Sequence, residues 1–137
     1  MTSINSIFFY GFFKNSNNPG KALISEAIHG MNACVGQVHG VKLVDDYFAA
    51  AVLERPGFHI QGQVLTCADQ RKWREKLNRF DQIQGYNSQY PERSMYQRSI
   101  IKVELAGGTT QYCYIYHKED ADETVAIEGG DWSKIRH

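Results

Sequence analysis

The chain reads as one α+β domain over residues 1–137, rich in strands and carrying two helices. Three observations point there. Its 137 residues fall within the roughly 100–200 of a single domain. Several apolar segments are bounded by glycine or proline in the manner of strands. Two segments repeat their apolar residues at helical spacing. No internal repeat and no linker divides the chain.

Ile4 to Tyr10 is rich in Ile, Phe and Tyr, ends at Gly11 and reads as a buried strand. Asn15 to Gly20 is a loop punctuated by Pro-Gly. Lys21 to Met31 sets Leu23, Ala27 and Met31 at four-residue steps beside Ile24 and Ile28, predicting a short amphipathic helix. Cys34 to Val44 and Phe58 to Cys67 read as strands, separated by a loop containing Arg55-Pro56-Gly57. In the second of these, period-two spacing puts Ile60, Gly62, Val64 and Thr66 on one face.

Asp69 is placed to cap a second helix with Trp73, Leu77 and Phe80 on one stripe. Gln84 to Arg93 is a polar loop. Tyr96 to Leu105 and Thr109 to Tyr116 form a hairpin through Ala106-Gly107-Gly108. Ile101, Val103 and Leu105 share one face of its first arm, and Tyr112, Tyr114 and Tyr116 one face of its second.

Composition narrows the function. Fifteen basic and fifteen acidic residues balance to zero, without the basic surplus of a protein that lives on phosphate backbones. Arg71, Lys72, Arg74, Lys76 and Arg79 make part of the second helix basic, but Asp69, Glu75 and Asp81 interleave with them, the pattern of a solvated face. No nucleic-acid partner is expected. The longest apolar runs are far below the roughly 20 residues that cross a bilayer. No basic residue precedes the first run, so neither a membrane partner nor a secretory signal is expected.

Three cysteines without CxxC spacing fit neither a disulfide framework nor a zinc ribbon and read as thiols in a reducing, cytoplasmic setting. Five histidines show no HxH or HxxxH spacing, so no metal is expected. The tyrosine face of the last strand is one candidate for protein contact, if it is exposed.

Three segments carry more specific information together. Phe8-Phe9-Tyr10-Gly11 leads into a loop with Asn17, Asn18 and Gly20. Phe80-Asp81-Gln82-Ile83-Gln84-Gly85-Tyr86 continues through Pro91-Glu92 to Ser94-Met95-Tyr96-Gln97-Arg98. The third closes the hairpin with Tyr114-Ile115-Tyr116 and continues to Ile127-Glu128-Gly129-Gly130-Asp131-Trp132. In order and spacing these resemble the γ-glutamylcyclotransferase-like family, from about residue 7 to residue 132. Its members open with Val-Tyr-Gly-(Ser/Thr)-Leu, matched here by Tyr10-Gly11. They carry a Gly-x-Val/Leu strand, as Gly62-Gln63-Val64-Leu65 does. They continue with Leu-Asp-x-x-Glu-Gly-Tyr and (Leu/Met)-Tyr-x-Arg, matched by Asp81, Gly85, Tyr86, Met95, Tyr96 and Arg98.

The resemblance implies a small mixed β-barrel with flanking helices and a cavity at one end. It also implies a chemistry: the α-amine of a γ-glutamyl group attacks its own γ-amide carbonyl, giving 5-oxoproline and a free amine. The substrate is then a small-molecule γ-glutamyl compound, and no cofactor is required. The reaction needs a group that takes a proton from the amine and returns one to the leaving nitrogen, which a single carboxyl of raised pKa can do. It also needs fixed donors for the oxyanion.

By the resemblance, Tyr10, Gly11, Phe12 and Phe13 form the substrate loop and Tyr96 and Tyr116 line the cavity. Arg98 is a structural pairing residue and Trp132 a tail anchor. The family's acid/base glutamate falls on Gln84, whose neutral amide does not exchange a proton near neutral pH. Phe12-Phe13 replace a small hydroxyl residue and leucine. Three accounts fit Gln84: natural loss of catalysis, proton transfer by a neighbouring carboxyl (Asp81 foremost), or deliberate disabling of an enzyme with its pocket intact. The alternative function is a non-catalytic, small-ligand-binding member of the same fold. The released amine and the oligomeric state stay open.

Overall fold

The computed structural model describes residues 4–11, 26–46 and 48–131. Among the described residues there are seven strands: β1 (Ser6–Phe9), β2 (Asn32–His39), β3 (Lys42–Asp46), β4 (Phe48–Val52), β5 (His59–Thr66), β6 (Gln97–Leu105) and β7 (Thr110–His117). A long helix, α1 (Gln70–Gln84), and short 3-10 turns at Pro91–Arg93 and Glu128–Gly130 complete the elements. The barrel runs β1-β5-β2-β6-β7 and closes where Ile7 of β1 lies parallel to Tyr114 of β7. β3 and β4 form a separate two-stranded sheet, tied to the C-terminal segment by a bridge from Val44 to Ala126.

Side-chain alternation along the strands makes two cores. One draws Phe8, Val38, Ile60, Val64, Val103, Cys113 and Ile115 from all the barrel strands and fills the barrel. The other joins Ile7, Leu65 and Tyr116 to Trp73 and Phe80 of α1. Asp69 caps α1 by accepting the Arg71 N–H at 2.9 Å, and Gly85 ends it at φ 68°, the left-handed turn that glycine enters without a steric penalty. The tyrosine face divides: Tyr112 is exposed, the Tyr114 ring stacks on Trp73, and Tyr116 is buried.

Three elements differ from the sequence reading. The single strand expected over 34–44 is two strands, because Gly40 at φ 76° breaks the chain between β2 and β3. β4 lies within an apolar run that carries no alternation; Ala49, Ala50 and Ala51 are all fully buried, so both faces of the strand are covered. The first helix is described only at 26–28, and the chain turns at 29–30, before Met31. Lys76 Nζ bonds His29 O at 2.7 Å and Arg79 pairs with Glu26, tying that turn to α1.

Gly62 permits a close backbone approach in the barrel wall: a Cβ there would lie 2.4 Å from Phe9 O and 2.9 Å from Phe8 Cζ. Gly62→Ala is therefore expected to destabilise the chain by about 1–3 kcal/mol, the usual cost of overpacking, read as a lower urea midpoint.

Across the loops, Arg55 grips Glu123 with two bonds of 2.9 Å. The Arg55 hydrogen bond holds the Glu123 carboxyl down from 4.5 to about 2. A depressed acid contributes stability above its unfolded pKa and loses it as pH falls through the folded one. The expected result is a urea midpoint that declines between about pH 4.5 and 2, with a shallower decline in Glu123→Gln and in high salt.

Candidate active site

The best-anchored polar group is a node between α1 and the β6–β7 hairpin. Arg98 and Tyr116 stand directly opposite one another in the strand register, so both reach the same point beneath the helix. Arg98 Nη1 donates to Asp81 Oδ2 at 2.6 Å, and the Tyr116 hydroxyl donates to Asp81 Oδ1 at 2.6 Å. The guanidinium also lies 4.8 Å from the ring centres of Tyr86 and of Tyr114, a cation–π arrangement. Burial pushes the Asp81 carboxyl up, against the pull of the Tyr116 hydroxyl and of Arg98. Burial, and then the bond to Asp81, push the Tyr116 hydroxyl up as well.

Two further tyrosines hold β4 against the barrel. Tyr10 donates its hydroxyl proton to Tyr116 O at 2.5 Å and accepts the Ala51 N–H at 3.2 Å. Tyr96 donates to Ala49 O at 2.8 Å. Both rings are buried, and burial is the main cause that raises both hydroxyl pKa values.

Just beyond Tyr10, Gly11 adopts φ 116°, open to glycine and strained for other residues. A cavity of about 350 Å³ opens there, lined by Phe9, Tyr10, Gly11, Val35, Gln61, Gly62, Gln63 and Asp131. That volume suits a small ligand. Gln84, Tyr96 and Tyr116 are not among its described lining residues. Phe12, Phe13 and Trp132 lie outside the described residues.

Gln84 is the last residue of α1, three positions after Asp81 and so on the same helix face. It is 3% exposed, and among the described residues its Nε2 has no hydrogen-bond partner. Burying an amide donor without a partner costs about 1–3 kcal/mol.

Gln61, Gln63, Val35 and Asp131 were not singled out as site residues by the sequence. Gln61 and Gln63 flank Gly62 on β5 and so share the face opposite the barrel core. Asp131 belongs to the Gly-Asp-Trp run, where the tryptophan drew the reading. Among the described residues no group of three or more His, Cys, Asp or Glu is placed to hold a metal ion. Among them, too, no helix is long and apolar enough to cross a membrane.

A family model described as gamma-glutamyl cyclotransferase, AIG2-like, matches residues 7–134. No curated protein matches the chain. Among solved structures, the fold is similar to that of a Pyrococcus horikoshii protein, 16% identical over 96% of this chain and 91% of that one, with a TM-score of 0.60. It is also similar to an Arabidopsis thaliana protein, 14% identical over 90% of this chain and 75% of that one, at a TM-score of 0.64. A structure named gamma-glutamyl cyclotransferase is 20% identical over 89% of this chain and 69% of its own, at a TM-score of 0.57.

Proposed function

The chain belongs to the gamma-glutamyl cyclotransferase, AIG2-like family, and on that premise we propose that it is a γ-glutamyl-compound site in which the acid/base position is held by the amide of Gln84. The reaction such a site serves is intramolecular aminolysis. The substrate α-amine attacks the γ-amide carbonyl, the ring of 5-oxoproline closes, and the amide C–N bond breaks to release an amine. Gly11, at φ 116°, lines the cavity; backbone N–H groups of a glycine-containing loop suit a carboxylate or a developing oxyanion.

The observation that carries the reading is the buried Nε2 of Gln84, which has no hydrogen-bond partner among the described residues. A glutamate in the same place would be withdrawn from water, its pKa would rise, and it would be suited to both taking and returning a proton. Asp81 is a poor substitute, because Arg98 and Tyr116 occupy its two oxygens. The chain as it stands therefore binds a γ-glutamyl compound and turns it over slowly at most.

Calorimetric titration with a γ-glutamyl alkylamide tests the binding. Saturable heat that is lost when the α-carboxylate is methylated is the expected result. Absence of binding to both the chain and its Gln84→Glu variant, across amides of different leaving amine, would overturn the reading.

A further inference from the structure

We propose that Ser99, His117 and Glu119 form a second, nucleophilic site that accepts an acyl group on Ser99 Oγ from a short activated ester. None of the three lines the cavity beside Gly11, and the inference is independent of the γ-glutamyl reading. Ser99 lies on β6 and His117 on β7, where His117 is registered against Gln97. Ser99, two residues from Gln97, is thus the diagonal neighbour of His117 on the same face of the hairpin. Ser99 Oγ is 2.7 Å from His117 Nε2, and His117 Nδ1 is 2.6 Å from Glu119 Oε1. The Leu53 N–H also donates to Glu119 Oε1, at 3.3 Å, which fixes the carboxylate from a second direction.

The proton placement follows from the chemistry of the groups. An ionised carboxylate only accepts, so Nδ1 carries the proton it shares with Glu119. In neutral imidazole Nε2 is then the unprotonated nitrogen, and the Ser99 hydroxyl must donate to it. Nucleophile, base and orienting carboxylate stand in line at hydrogen-bond distance, the arrangement that activates serine. A serine merely satisfying a buried histidine needs no carboxylate behind it. His117 is 6% exposed while Ser99 is only half-buried, so the base is shielded from water and the serine is the more accessible of the two.

In the step, Ser99 Oγ bonds to the acyl carbon as its proton passes to Nε2. The ester C–O bond then breaks, and the leaving oxygen takes that proton. Water hydrolyses the acyl-serine by the reverse proton route.

Diisopropyl fluorophosphate is the probe, read by intact mass and peptide mapping. The Oγ–P bond forms, the P–F bond breaks, fluoride leaves, and the serine proton is lost through His117 to solvent. The expected result is one adduct on Ser99 of the folded chain, absent in Ser99→Ala. Labelling and p-nitrophenyl acetate hydrolysis should both slow about tenfold or more in Glu119→Gln. Glu119 is exposed, so that variant separates activation from folding, with circular dichroism as the check. An unlabelled Ser99 in the folded chain, or labelling equally fast in Glu119→Gln, would overturn the proposal.

Discussion

Gln84→Glu is expected to raise 5-oxoproline formation from a γ-glutamyl amide by about a hundred- to ten-thousandfold, the usual worth of a positioned acid/base group. The substitution exchanges one Nε2 for an oxygen on a nearly isosteric side chain, so the packing around position 84 should keep its shape. What changes is the chemistry available at a site that is 3% exposed. A carboxyl placed there gives up hydration, and its pKa rises towards the range where it can be base in one step and acid in the next. The signature is a gain in kcat with ligand affinity changed little, and a rate that rises through the new carboxyl's raised pKa. Measurement is by chromatography of 5-oxoproline from matched incubations of the two proteins. A Glu variant that binds the amide yet forms no product would assign the proton transfer elsewhere.

Asp81→Ala is expected to destabilise the fold by about 2–4 kcal/mol, somewhat below the cost of breaking a fully buried pair. The aspartate is 8% exposed and is held by both Arg98 and Tyr116. Removing it strands a guanidinium under the helix and leaves the Tyr116 hydroxyl without its acceptor. Tyr10 bonds the Tyr116 carbonyl and the Ala51 N–H, so the loss should spread to β4. Urea denaturation measures it. Adding Arg98→Met to Asp81→Ala should recover part of the loss, because the uncompensated charge is then gone. Two losses that simply add would show that the ion pair is not the source of the effect.

The part of this site that was legible in the sequence is the part that local chemistry dictates. Asp69 and Gly85 bound α1 because one offers a side-chain acceptor to free N–H groups and the other tolerates a left-handed turn. That fixes the phase of the helix, and the phase puts Asp81 and Gln84 on the face that carries Phe80 and Trp73. The hairpin was legible from its alternation and its glycine turn. Arg98 was expected to pair structurally, and it does so with Asp81.

β4 was not legible. Three alanines carry no period, and their burial on both faces comes from neighbours remote in sequence. The cavity brings Asp131 to Gln61 and Gln63, about seventy residues earlier in the chain, and locally each reads as an ordinary solvated side chain.

By itself, then, the sequence determined the α+β class, the family motifs and the chemical identity of position 84, since all of these are carried by residue type and short-range spacing. Only the tertiary structure decided what surrounds them. It engaged both oxygens of Asp81, buried Gln84, and aligned Ser99, His117 and Glu119. The physical reason is that desolvation and hydrogen-bond satisfaction depend on groups brought together by strand pairing and helix packing. Arg98 and Tyr116 meet Asp81 across separations of 17 and 35 residues, and no local pattern encodes such a meeting.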